Sequence, residues 1–83
     1  MQVRSDVVFR VLGDSAVIVD LSSNRVFELN PTGVAIWEAL VRGDSPDAIA
    51  RGLVAAFDID EPTALSDTAD LIARLRSAGL IDP

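Results

Sequence analysis

The chain has 83 residues, contains neither cysteine nor histidine, and carries a formal net charge of −6. Without cysteine it has no disulfides and no thiolate metal sites, and without histidine it lacks the commonest metal ligand and the commonest general base at neutral pH. Its negative charge disfavours partners that are themselves anionic, namely nucleic acids and membrane surfaces.

The N-terminal part of the sequence predicts three β-strands. Val7–Leu12 is a run rich in β-branched residues and is followed by the turn-forming triplet Gly-Asp-Ser. Residues 16–21 form a second such run, closed by Ser-Ser-Asn, and Arg25–Leu29 forms the third. Connections of three polar residues are typical of successive hairpins, so we expect an antiparallel three-stranded meander.

The third strand has the clearest alternation. Phe27 and Leu29 fall on one face, and Val26 and Glu28 fall on the other. As the last strand of a meander it is an edge, with free backbone groups guarded only by the charges of Arg25 and Glu28. A peptide that adds as a further strand would satisfy those groups. The alternatives are an edge that is simply solvated and an edge that dimerises.

The chain changes from strand to helix between Asn30 and Trp37. Asn30 is a favourable N-cap, and Pro31 suits the first helical position because no N–H is needed there. The first helix is predicted to run from about Pro31 to Arg42 and to end at Gly43. Spacing by three and four predicts its core stripe as Val34, Trp37, Leu40 and Val41.

Two further helices are predicted after Gly43. The second begins at the cap Ser45, and its predicted stripe is Ile49, Leu53, Ala56 and Phe57. The third is capped by Asp60 and runs to about Ala78, with a predicted seam of Leu65, Ala69, Ile72 and Leu75. Leu80 and Ile81 are expected to fold back onto the core. We therefore predict one α+β domain over residues 1–83, with three antiparallel strands followed by three α-helices.

The residue inventory does not favour catalysis. Nucleophile-and-base pairs reduce to Ser or Thr with a carboxylate, since the chain also lacks lysine and tyrosine. The carboxylates at residues 58–61 are explained by capping, and they lack the twelve-residue calcium-loop pattern. Asp67 and Asp70, with Arg74 following, are interpreted as a solvated ion-pair face. We expect no enzyme activity, catalytic residue, metal ion or cofactor.

The location expected by default is the cytoplasm. The N-terminus lacks the apolar core of a signal peptide. No segment approaches the roughly 20 apolar residues that a membrane span requires. The prediction is therefore a protein with no membrane partner.

Several short segments together resemble the PqqD-like family, the precursor-peptide recognition elements of RiPP biosynthesis. The strand-to-helix signature is RVFELNPTG at residues 25–33, followed by IWEAL at residues 36–40. Further segments are Ile49-Ala50, Phe57-Asp58-Ile59-Asp60, and Leu75 with Gly79-Leu80-Ile81. The resemblance depends on the order and spacing of these pieces and covers nearly the whole chain from Val7 onward.

This resemblance implies a winged-helix-like, non-catalytic domain that binds the leader segment of a ribosomally made precursor peptide. The leader is expected to add antiparallel to the third strand and to lie against the third helix. The expected contact residues are Arg25, Val26, Phe27, Glu28 and Leu29 on the strand and Asp67, Leu71, Arg74 and Leu75 on the helix. Leu71 and Leu75 are expected to form an apolar pocket, with Asp67 and Arg74 reading charge at its rim.

The resemblance also implies enzyme partners, which differ between two free-standing members of the family. In lasso-peptide pathways the precursor goes to a leader peptidase and a macrolactam-forming synthetase. In pyrroloquinoline quinone synthesis it is presented to a radical SAM enzyme. The Asn-Pro-Thr-Gly segment at residues 30–33 and the Arg/Ala/Asp-rich helices are more similar to the lasso type.

The alternative from another class is a winged-helix DNA-binding protein, because that architecture is shared. Such a protein requires a basic recognition helix and a positive face. The third helix instead sets Asp67 and Asp70 against Arg74 and Arg76, and the chain as a whole is acidic. We therefore predict that the protein binds a leader peptide and has no nucleic-acid partner.

Overall fold

The computed structural model describes residues 6–81, so residues 1–5 and 82–83 of the predicted domain lie outside the described residues. The strands are β1 (Val7–Leu12), β2 (Ser15–Asp20) and β3 (Arg25–Leu29). The helices are α1 (Pro31–Arg42), α2 (Pro46–Ala56) and α3 (Glu61–Ser77). This order confirms the predicted α+β class of three strands followed by three helices.

The sheet is an antiparallel meander in the order β1-β2-β3, and only its turns differ from the prediction. The first turn is the pair 13–14, because Ser15 already pairs with Leu12 and belongs to β2. The second comprises residues 21–24 and includes Asn24 with φ of 57°. Asparagine tolerates this left-handed conformation better than most residues, so the local sequence suits the longer turn.

The two faces of the sheet have different environments. Ile18 and Leu29 lie on the face that packs against α1, and both are buried in the core. The opposite face carries a row of directly paired valines formed by Val8, Val19 and Val26. Val26 ends that row and is 60% exposed. Helices therefore cover one face only, and β3 borders both surfaces.

All three helices begin at the predicted side-chain cap, and each has a proline in its first turn. The capping bonds run from Gly33 N–H to Asn30 Oδ1 (2.8 Å), from Ala48 N–H to Ser45 Oγ (3.2 Å), and from Thr63 N–H to Asp60 Oδ1 (2.9 Å). Each satisfies a backbone donor that has no partner within its own helix. The starts of the helices are thus fixed by local chemistry.

The core lies between the sheet and the three helices and is centred on Trp37. Trp37 is 3% exposed, and its ring stacks on that of Phe9, with 6.0 Å between ring centroids. At the other end of the chain, Leu80 and Ile81 are buried, and the Leu80 N–H donates to the Leu75 carbonyl at 2.9 Å. The predicted return of the C-terminal residues onto the core is confirmed.

Four helix positions predicted to be buried are exposed, namely Val41, Ala56, Leu65 and Ala69. In α3 the error is one of phase, because the core side is formed by Ala64, Thr68, Leu71, Ile72 and Leu75. The small Ala64 and Thr68 suit a close contact between α3 and the rest of the core, whereas the bulkier Leu65 points outward. Hydrophobic spacing alone favoured the larger side chain, and packing selected the smaller ones.

Candidate functional site

The backbone groups of Val26 and Glu28 face the free edge of the sheet. The Leu21 N–H donates to the Asp6 carbonyl at 3.1 Å, so odd-numbered residues along the second strand direct their backbone toward β1. Backbone direction alternates along a strand, so the even-numbered residues pair with β3. Their partners in β3 are Arg25, Phe27 and Leu29. The backbone groups of Val26 and Glu28, which alternate with these partners, therefore point outward, where no described strand pairs with them.

A groove of about 450 Å³ lies beside this edge, between the end of β3 and α3. Leu29, Ile36 and Leu71 line it, and because all three are buried they form an apolar floor. Its polar lining consists of Glu28, Asn30, Thr32, Asp67, Asp70 and Arg74. A segment lying here would rest on an apolar base between polar groups of β3 and α1 on one side and of α3 on the other.

A second cavity of about 370 Å³ lies between the beginning of β3 and the C-terminal turns of α3. Its lining is Arg25, Phe27, Ala73, Arg74, Ser77 and Ala78. Arg74 lines both cavities, so the two are consecutive along α3. The Arg25 guanidinium lies 5.0 Å from the centroid of the Phe27 ring, within the range of a cation–π contact.

The charged groups of α3 that line the groove are not used by the fold. Asp67, Asp70 and Arg74 make no ion pair or hydrogen bond through their side chains to any residue in the described range. The solvated ion-pair face predicted from the i to i+4 spacing of Asp70 and Arg74 is therefore not formed. These side chains remain available to a ligand that enters the groove.

Gly33 sets the distance between α1 and β3. A Cβ atom built at this glycine would lie 3.1 Å from Asn30 Oδ1 and 3.3 Å from the side chain of Leu29. Such contacts are tighter than ordinary van der Waals packing, so the absence of a side chain permits the close approach. The first turn of α1 thereby holds the end of β3 against the groove.

Of the nine contact residues predicted from the sequence, all but Val26 and Leu75 line one of the two cavities. Val26 lies on the opposite face of the sheet but directs its backbone to the free edge. Leu75, predicted to form a pocket with Leu71, is 2% exposed and lies in the core behind the groove. Leu75 was also predicted in the core seam of α3, and that assignment is confirmed, whereas its contact with a leader stays a prediction.

The sequence prediction missed the contribution of α1. Asn30, Thr32, Gly33 and Ile36 line the first cavity, although they were interpreted only as a helix start and a family signature. Their closeness in sequence to β3 was the available signal, since a tight strand-to-helix junction places the first helical turn beside the strand end. Asp70 also lines this groove.

Within residues 6–81, the structure contains neither a candidate metal-ion cluster nor a candidate membrane-spanning helix. No group of three or more His, Cys, Asp or Glu side chains in this range is arranged to hold a metal ion. Across the same range, every helix is too short or too polar to cross a membrane.

Three antiparallel strands, three helices and a groove beside a free strand edge define a small α+β domain of the winged-helix-like type. The family model described as coenzyme PQQ synthesis protein D (PqqD) matches residues 15–81, and the chain belongs to this family. The resemblance predicted from the strand-to-helix signature is thereby confirmed.

Two solved structures are similar to this chain over nearly their whole length. TbiB1 in complex with the TbiA(beta) leader peptide is 28% identical, with a TM-score of 0.88, and the match covers 99% of this chain and 95% of that chain. Lasso peptide synthetase B1 complexed with the leader peptide is 26% identical, with a TM-score of 0.87 and coverages of 99% and 96%. No match was found among curated proteins.

Proposed function

We propose that this protein captures the leader segment of a ribosomally synthesised precursor peptide. The leader adds as a fourth strand to β3 and lies in the groove against α3. The protein itself performs no catalysis and delivers the bound precursor to a leader peptidase and a macrolactam synthetase of a lasso-peptide pathway. Because precursor peptides are made by ribosomes, its proposed location is the cytoplasm.

The observation that carries this proposal is the outward direction of the Val26 and Glu28 backbone groups beside an apolar groove. Strand addition satisfies these groups with main-chain hydrogen bonds, which supply affinity for any extended segment. Alternate side chains of the added strand then enter the groove, which supplies selectivity. Both similar solved structures contain a bound leader peptide, which supports the same ligand class here.

A second candidate is a peptide chaperone of pyrroloquinoline quinone synthesis, which would present its precursor to a radical SAM enzyme. The match to the PqqD family model favours it. The similarity to lasso peptide synthetase B1 favours the lasso assignment, and it covers almost the entire length of both chains. The two candidates share the binding mode and differ in the enzyme that receives the peptide.

The test is an NMR titration with the leader peptide of the precursor encoded beside this gene. We expect amide shifts to be largest at Val26 and Glu28 and along the groove side of α3. Shifts confined to α2, or spread evenly over the protein, would contradict strand addition at β3. A pull-down of the neighbouring peptidase or radical SAM enzyme with the loaded protein would then distinguish the two candidates.

A further inference from the structure

The two cavities beside β3 have opposite charge. The α3 carboxylates Asp67 and Asp70 line the cavity at the Leu29 end of the strand and not the one at the Arg25 end. The cavity at the other end has no carboxylate in its lining and is bordered by Arg25. Arg74 lines both and lies between them. A strand lying along β3 therefore passes from an acidic environment to a basic one.

The direction of an added strand follows from the sheet. All existing pairs are antiparallel, and antiparallel pairing is slightly more stable per residue than parallel pairing. The N-terminal part of an added strand then lies opposite Leu29, and the residue four positions later lies opposite Arg25. Side chains at both positions point to the groove side, because directly paired residues share a face.

We propose that the groove recognises a pair of opposite charges four residues apart in the leader, with the cation first. A Lys or Arg side chain lies opposite Leu29, with its alkyl portion on the apolar floor and its charge near Asp67 and Asp70. An Asp or Glu side chain lies opposite Arg25 and is bound by Arg25 and Arg74. This inference rests on the proposed function and adds to it the chemistry of the recognised segment.

The same charges oppose the wrong arrangement. A leader with the carboxylate first, or a matched leader added in the parallel direction, would place its carboxylate beside Asp67 and Asp70. It would also place its cation beside Arg25 and Arg74. Like charges held at close range disfavour such binding, so the charge order selects both sequence and direction.

The size of the effect follows from the exposure of these groups. Each pair lies at the rim of an open groove, where an ion pair changes the Kd by about two- to threefold. Two pairs therefore correspond to about a fivefold difference in Kd between a matched peptide and its neutral counterpart. The difference must shrink in 1 M salt, because exposed charges are screened there.

The experiment is selection from a displayed library of random 15-residue peptides. The full-length wild-type protein is compared with Asp67→Asn/Asp70→Asn and with Arg25→Gln/Arg74→Gln. A matched control is Asp47→Asn/Arg51→Gln, which neutralises two exposed charges on α2 away from the groove. Enriched peptides are then synthesised, their charge-swapped counterparts are made, and Kd is measured at low and high salt.

We expect the wild type and the control to enrich Lys or Arg followed four residues later by Asp or Glu. Asp67→Asn/Asp70→Asn should lose only the preference for the leading Lys or Arg. Arg25→Gln/Arg74→Gln should lose only the preference for the Asp or Glu that follows. Enriched peptides that shift the Val26 and Glu28 amides but show no charge order would overturn this inference and leave the proposed function standing. A wild-type protein that selects no peptide, or only peptides that do not perturb β3, would overturn both.

Discussion

Gly33 lies where the start of α1 meets the end of β3, and its neighbours leave little room for a side chain. Alanine is intrinsically the better helix former by about 1 kcal/mol, so an open site would gain stability from the substitution. At Gly33 the added methyl group meets Asn30 and Leu29 at 3.1 to 3.3 Å. The close approach therefore opposes the propensity gain and displaces the residue that forms the groove floor.

We expect Gly33→Ala to give no gain in the free energy of unfolding and to weaken leader binding. The matched control is Gly52→Ala in α2, where an added Cβ meets nothing within 4 Å and where the residue is exposed. That variant should gain about 0.5 to 1 kcal/mol. Urea unfolding and peptide titration of both variants measure these effects. An equal gain at the two sites would show that Gly33 is not sterically constrained.

Val26 tests the role of the backbone at the β3 edge. Its N–H points away from β2, so proline at this position removes an outward donor without breaking a hydrogen bond of the sheet. We expect Val26→Pro to remain folded and to bind the leader about tenfold more weakly, in line with the loss of one backbone hydrogen bond. Calorimetric titration with the leader peptide measures the change.

Two controls accompany this substitution. Val26→Thr keeps the donor and the β-branched shape and should bind normally. Val11→Pro makes the same change on β1, where Val11 is exposed and the alternation of pairs again directs the N–H to the outer edge. If Val11→Pro weakens binding as much as Val26→Pro, the leader does not add specifically at β3.

At the scale of single elements, the start of α3 depends on an ionised cap. Hydrogen bonds from the Thr63 side chain and then from its backbone N–H hold the pKa of Asp60 below its ordinary value of 3.8. A carboxyl with a lowered pKa in the folded state stabilises the protein above the pKa of the unfolded state. That contribution is lost as the pH falls through the folded-state value.

We expect Asp60→Asn to be less stable than the wild type at neutral pH. Asparagine caps a helix about as well, but it lacks the charge that interacts with the helix dipole. The difference in the free energy of unfolding should decrease once the pH falls below about 3.8. Urea unfolding at several pH values measures it. A difference that stays constant at acidic pH would mean that the charge contributes nothing to capping.

The sequence predicted those elements that local chemistry determines. The bounds of β3 and α1 are as predicted, because alternation defines the strand and the Asn30 cap defines the first helical turn. The edge position of β3, on which the strand half of the candidate site depends, followed directly from its last place in a meander. The buried face of α3 was predicted with the wrong phase, since it depends on how small residues pack against the other elements. For that reason Leu65 and Ala69 were placed in the core seam, whereas Ala64 and Thr68 are the buried residues there.

For the whole molecule, binding and stability are linked. An 83-residue domain has little stability in reserve, so a ligand that binds only the folded state should raise its melting temperature. At a free leader concentration 100 times the Kd, the gain is about 2.7 kcal/mol, which corresponds to a shift of about 10 °C or more.

Differential scanning calorimetry with increasing leader peptide measures this shift. Val26→Pro should show a smaller shift at the same peptide concentration, because its Kd is higher. A leader that binds tightly without raising the melting temperature would imply equal affinity for the unfolded chain, which is incompatible with a site formed by β3 and α3 together.

The alternation along β3 also bears on how such proteins could be re-engineered. In the proposed binding mode, the outward amides at positions 26 and 28 would bind any extended chain, while the groove side chains would distinguish one sequence from another. Because these roles belong to different atoms, exchanging the groove charges together with those of the leader should create an orthogonal pair that ignores the parent peptide. Several biosynthetic pathways for modified peptides would then operate in one cell without exchanging their substrates.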